Sequence, residues 1–150
     1  MATADQTILQ ILALREKTRD DYLLRCDPIA ADRLAWRAQT FRHMVHLLPG
    51  QSILEIGCGQ NLFTRQLVEV TRGRNPVTAV TFDSSWNTSA NVHDAVEVIV
   101  TKSFPGILKG RQFDFIVAMD VLDRRNCAGM LQEVHELLKP GGQVLFYESN

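Results

Sequence analysis

The chain has 150 residues, 45% hydrophobic and 22% charged, with a formal net charge of −1, the make-up of one ordinary globular domain able to bury a single core. Both signs of charge are interspersed, so there is no basic field to draw a nucleic acid, and no run approaches the ~18 continuous apolar residues of a membrane span. Cys26, Cys58 and Cys127 have neither disulfide-framework nor zinc spacing, and the start MATADQTILQ lacks the cationic-then-apolar order of a signal peptide. A cytoplasmic, reducing setting is the expectation.

The first third reads as two helices. One runs from about Asp5 to Leu24, with Ile8, Leu12, Arg15 and Arg19 spaced along it. Asp27 can cap a second, with Pro28 at its first position, where a missing N–H costs nothing. That helix carries Ile29, Leu34, Trp36, Phe41, Met44, Val45 and Leu48 and stops at Pro49-Gly50. Tyr22, Trp36 and Phe41 are candidates for a pocket lining, although core or lid packing is the plainer expectation for Trp36 and Phe41. His43 and His46 lie three apart on the same helix, but no second ligand pair accompanies them, so no metal site is expected.

Beyond Gly50 the pattern alternates. Ser52 to Ile56 is a buried strand ending in Gly57-Cys58-Gly59, and Asn61 to Thr71 is a helix with Gly73 just past its end. Val77 to Phe82 and Val96 to Val100 are β-branched strands, separated by a polar stretch with room for one or two helical turns. Phe113 to Met119 is a fourth strand and Asn126 to Leu138 a helix. Lys139-Pro140-Gly141-Gly142 predicts a turn before a fifth strand, Gln143 to Tyr147. Strands apolar on both faces and separated by helices imply a parallel sheet covered on both sides. The expected architecture is α/β: a doubly wound, mostly parallel Rossmann-like sheet (residues 49–150), flanked by helices and preceded by two helices (residues 1–48).

In such a sheet ligands sit at the carboxyl ends of the strands. Two glycines directly after the first strand allow a tight turn and close approach of a ligand, and the helix beginning near Asn61 offers free N–H groups. Cys58 is expected to be a small packing residue, a reactive thiol there being the minor reading. A dinucleotide loop wants a further glycine where Leu62 stands, which disfavours a nicotinamide dehydrogenase.

The segment ILEIGCGQN resembles the first motif of class I S-adenosylmethionine (SAM) dependent methyltransferases: an acidic residue, one apolar residue, then Gly-x-Gly. VTAVTFDSS, FDFIVAMDVLDR and LQEVHELLKPGGQVLFYES resemble that family's second strand, its fourth strand with following loop, and the approach to its fifth strand. The resemblance runs from about Leu48 to the end. It implies SAM as cofactor, with Gly57 and Gly59 passing beneath the methionyl part and ribose, and Glu55 organising the loop and the cofactor's ammonium group. Asp120 and Val121 would lie beside the methionine moiety and the substrate entrance. The family usually ends its second strand in an acidic residue that accepts both ribose hydroxyls. Thr81 stands in that place, and either Asp83 serves from two residues further on or it caps a turn. At the third strand, where Gly-Asp is common, Val100-Thr101-Lys102-Ser103 leaves Ser103 or a backbone carbonyl for the adenine amino group.

The cofactor contacts so implied are Glu55, Gly57, Cys58, Gly59, Asn61, Thr81, Asp83, Ser103, Asp120 and Val121. No catalytic base is identified; Asp120 and Asp123 are open as bases or as helix-entry residues. The expected activity is methyl transfer to a small-molecule or a sugar- or lipid-linked acceptor. The alternative is a non-catalytic module of the same fold appended to another enzyme such as a glycosyltransferase. The resemblance implies the strand order 3-2-1-4-5, with residues 1–48 as the family's variable N-terminal helical cap; because the family fold usually has seven strands, a chain ending after the fifth suggests a piece of a longer protein. The exposed fifth-strand edge would then meet an adjoining domain or a second copy.

Overall fold

The computed structural model describes residues 4–83 and 92–148. Two helices, α1 (Ala4–Arg25) and α2 (Ala30–Met44), lead into β1 (Ile53–Ile56), α3 (Leu62–Thr71), β2 (Val77–Thr81), β3 (Val96–Val100), β4 (Phe113–Met119), α4 (Cys127–Glu136) and β5 (Leu138–Tyr147). The five strands form one sheet in the order β3-β2-β1-β4-β5, and every neighbouring pair is parallel. This is the Rossmann-like sheet that the alternating pattern predicts.

Alternation along each strand sends successive side chains to opposite faces. Leu54, Ile56, Ile116 and Ala118 pack with Leu12 of α1 and with Met130 and Val134 of α4. Ile53, Phe115, Val117 and Met119 pack with Leu34, Ala38 and Phe41 of α2 and with Phe63 and Leu67 of α3. Covering both faces is what demands continuously apolar strands. Phe41 is fully buried and meets Phe115 edge-to-face, ring centroids 6.5 Å apart. Trp36, by contrast, is 64% exposed; it belongs to neither core, which overturns the core half of what is expected of it.

Three local expectations are revised. Strand β5 begins at Leu138 rather than after the Lys139–Gly142 turn. The turn is absorbed as a bulge: Phe113 pairs with Leu138 and Phe115 with Gln143, so five steps on β5 oppose two on β4. Gly141, at φ +79°, and Gly142, where a Cβ would come within 2.8 Å of the Asp114 carbonyl, make that bulge possible. The last helix stops at Glu136 instead of Leu138 because Leu138 already belongs to the strand. A short 3-10 turn, Gly106–Leu108, buries Leu108 in the first core and was not anticipated. The polar stretch between β2 and β3, with its expected helical turn, falls largely outside the described residues.

Candidate functional site

The loop after β1 is built by its glycines. Gly57 has φ +85°, and a Cβ there would stand 2.7 Å from the Met119 backbone carbonyl; Gly59 has φ +51°. The Gly57 and Cys58 N–H groups donate to the Val80 carbonyl at 2.8 and 2.9 Å, and the Asn61 N–H donates to the Cys58 carbonyl. The loop is thus clamped against β2, and the N–H of Asn61 is spent inside it. Asn61 itself stands at φ 63°, just ahead of α3. Cys58 is buried, and burial pushes its thiol well above the usual range, which suits packing rather than reactivity.

Glu55 points to the α3 face of the sheet, fully buried, and accepts the Thr64 hydroxyl at 2.7 Å. Burial, opposed by that hydrogen bond and by Arg19, pushes its carboxyl up to about 7. Thr81, at the end of β2, is also fully buried. Its hydroxyl donates to Glu16 of α1 at 2.5 Å and accepts the Asp83 N–H at 3.2 Å. At the end of β4, Asp120 takes φ 54°, with Arg15 donating to its carbonyl at 3.2 Å and to that of Leu122 at 2.7 Å. The Val121 and Leu122 N–H groups both donate to Glu148, each at 3.0 Å. Asp123 is turned elsewhere, paired with Arg125 at 2.9 Å.

The sequence pattern predicts helix α1 but not that it crosses this end of the sheet. Residues 15 to 20 of α1 reach the loops after β1, β2 and β4 together. Glu16 accepts the Phe82 N–H as well as the Thr81 hydroxyl, and burial pushes its carboxyl up to about 7. Asp20 accepts the Gln60 N–H at 2.7 Å and Arg19 at 3.1 Å. A Cβ on Gly59 would collide with the Asp20 carboxylate and stand 2.8 Å from Arg19 Nη2. The other Arg19 terminus, Nη1, is buried with no hydrogen-bond partner and lies 4.0 Å from the Asp120 carboxylate. A signal was present: Leu12, Glu16, Asp20 and Leu23 share one helical face, so two carboxylates interrupt an inward stripe.

Helix α1 divides the crevice. On the β2–β3 side lies a cavity of about 440 Å³ lined by Gln6, Leu9, Phe82, Asp83, Thr101 and Lys102, among others. On the β4 side lies one of about 690 Å³ lined by Leu14, Arg15, Arg19, Tyr22, Arg37 and Asp120, among others. The structure therefore brings Glu55, Gly57, Gly59, Thr81, Asp120 and Val121 to one place, the point where connections leave β1 and β4 in opposite directions. Doubly wound sheets bind their ligands there. Asp83 lines the smaller cavity, while Ser103 is exposed.

Comparison with known proteins agrees with this geometry. Residues 21–150 match the family model described as a methyltransferase domain, and the chain belongs to that family. Among solved structures it resembles the plantazolicin methyltransferase BpumL in complex with a pentazolic desmethylPZN analog and SAH (17% identity, 97% of this chain and 62% of that one, TM-score 0.66). It also resembles coclaurine N-methyltransferase bound to N-methylheliamine and SAH (20%, 75% and 35%, TM-score 0.59). A third is a cyclopropane-fatty-acyl-phospholipid synthase-like protein from Lactobacillus casei (18%, 81% and 55%, TM-score 0.56). The chain thus spans 35% to 62% of the length of these structures. No curated protein matches it. No helix among the described residues is long and apolar enough to cross a membrane.

Proposed function

We propose that the chain is the cofactor-binding domain of a SAM-dependent methyltransferase acting on a small-molecule or a sugar- or lipid-linked acceptor. The observation that carries the reading is the loop Gly57–Gly59. Its backbone is closed under buried Glu55 at the switch point between β1 and β4, in a chain of the methyltransferase-domain family. The donor set suits the group. Gly57 and Gly59 admit no side chain, Glu55 fixes α3 through Thr64, and the Asp120 carboxylate lines a crevice that would receive an ammonium and a sulfonium. Bound there, SAM supplies an activated methyl group.

The protein's part is then to hold the acceptor in line and keep water out. Asp120 and Val121 stand at the entrance, and the 690 Å³ cavity beside them has the size of small-molecule sites, about 300–1,000 Å³. Thr81 and Asp83 would meet the ribose hydroxyls, and Ser103 or a backbone carbonyl of the 101–103 stretch the adenine side. Free thiols at Cys26, Cys58 and Cys127 fit a cytoplasmic setting. The open edge of β5, which among the described residues pairs only with β4, is proposed to meet an adjoining domain or a second copy.

Calorimetric titration with SAM and with S-adenosylhomocysteine (SAH), repeated on Gly57→Arg, tests the reading. Micromolar binding lost in the variant is the expected result. Absence of binding, in this chain and in a longer one that includes it, refutes the cofactor site. It would favour the second reading, a non-catalytic module appended to another enzyme such as a glycosyltransferase. What supports that alternative is threonine rather than a carboxylate at the end of β2.

A further inference from the structure

We propose that helix α1 is an internal competitor for the cofactor crevice. Its Asp20 and Glu16 carboxylates hold the groups at the ends of β1 and β2 that a bound ligand would otherwise take. The proposal rests on the cofactor reading above and adds a condition to it: binding and the α1 contacts exclude one another.

Accounting for the loop donors shows why. The N–H groups of Gly57, Cys58 and Asn61 are consumed by backbone carbonyls. The Gln60 N–H does project towards the crevice, and Asp20 takes it at 2.7 Å. At the neighbouring strand end the Phe82 N–H and the Thr81 hydroxyl both go to Glu16. These carboxylates bind the backbone as a ligand's own oxygens would. Steric occupation agrees with the donor count. Gly59 is a place where backbone could be closely approached, but Asp20 and Arg19 cover it so tightly that not even one methyl group fits between.

The contact is built to be reversible. Glu16 and Asp20 are each 1% exposed, and stripping water from a carboxylate costs free energy that its hydrogen bonds only partly return. Burial raises both carboxyls above their ordinary range, so their release into water recovers part of that cost. Beyond Glu16, Leu23 is the buried apolar anchor of α1, whereas Leu12 secures the half before it. Release of the two carboxylates therefore loosens residues 16–25 while the first half stays docked. The 690 Å³ cavity on the β4 side, lined by Thr18, Arg19 and Leu23, gives that half room to move.

The test is calorimetric titration of SAH into the wild-type chain, Asp20→Ala and the near-isosteric Asp20→Asn. Loss of a charge-assisted hydrogen bond frees the crevice in a larger fraction of molecules, so Asp20→Ala is expected to bind SAH about tenfold more tightly. Asp20→Asn should lie between it and wild type. A measurement that needs no variant is amide hydrogen exchange of the wild-type chain: residues 16–25 should exchange faster with saturating SAH than without it. Weaker SAH binding by both variants, or slower exchange over residues 16–25, overturns the proposal by making α1 part of the binding site while leaving the cofactor reading intact. No SAH binding by any of the three proteins, in this chain and in a longer one that includes it, overturns both.

Discussion

Replacing Glu16 with glutamine should stabilise the protein at pH 8 and change it little near pH 4.5. Burial raises the Glu16 carboxyl from 4.5 to about 7 in the folded chain. Below 4.5 it is protonated both folded and unfolded, so it contributes no pH dependence. Between 4.5 and 7 the unfolded chain gives up the proton while the folded chain keeps it, and stability falls as pH rises. Above 7 the penalty is constant. A gap of ~2.5 pH units at ~1.36 kcal/mol each sets it at about 3 kcal/mol. Glutamine never ionises, yet its amide oxygen still accepts from the Thr81 hydroxyl or the Phe82 N–H. Arg19 loses one neighbouring charge but keeps Asp20 at 3.1 Å, which trims the expected gain to about 1–3 kcal/mol. Urea denaturation of both proteins at pH 5, 6, 7 and 8 gives the comparison. The wild-type curve should decline across this range, steepened by Glu55, which burial also raises to about 7. A difference between variant and wild type that is the same at pH 5 and pH 8 would refute the reasoning.

Other outcomes follow from the same geometry. Gly57→Ala should cost several kcal/mol more than Gly50→Ala, because both have positive φ but only Gly57 faces a backbone carbonyl, at 2.7 Å; thermal unfolding of the pair isolates the collision. Phe41→Ala should lose about 3–5 kcal/mol, since Phe41 is fully buried in the second core, which denaturant midpoints will show. Trp36→Ala, at a residue 64% exposed, should stay within about 0.5 kcal/mol of wild type in the same assay.

The doubly wound parallel sheet was legible in the residues themselves. Apolar runs of four to seven residues separated by helical periodicity leave few topologies, and right-handed crossovers leave fewer still. The Gly57–Gly59 pair directly after Ile56 marks the switch point because a strand-to-helix turn that tight needs backbone without side chains. Local pattern was less reliable where tertiary contact decides. The Lys139–Gly142 segment has the composition of a turn, yet β4 lies alongside and its ladder draws the segment into β5 as a bulge. Trp36 has the chemistry of a core residue, but its position on α2 faces away from both clusters.

What the sequence determined alone is the class of fold and the tight Gly57–Gly59 turn at the end of β1, because both depend on near-neighbour spacing and on side-chain size. Which groups fill that site was decided only by the tertiary structure. Glu16 stands 65 residues from Thr81 and Asp20 stands 40 from Gln60. Along the chain the one local sign is that both fall on the Leu12–Leu23 face, unlike Lys17 or Asp21, and nothing there says which groups they meet. They become buried, partnered and raised in pKa only when α1 is laid across the ends of β1, β2 and β4, since desolvation depends on what surrounds a carboxylate and not on its neighbours in sequence.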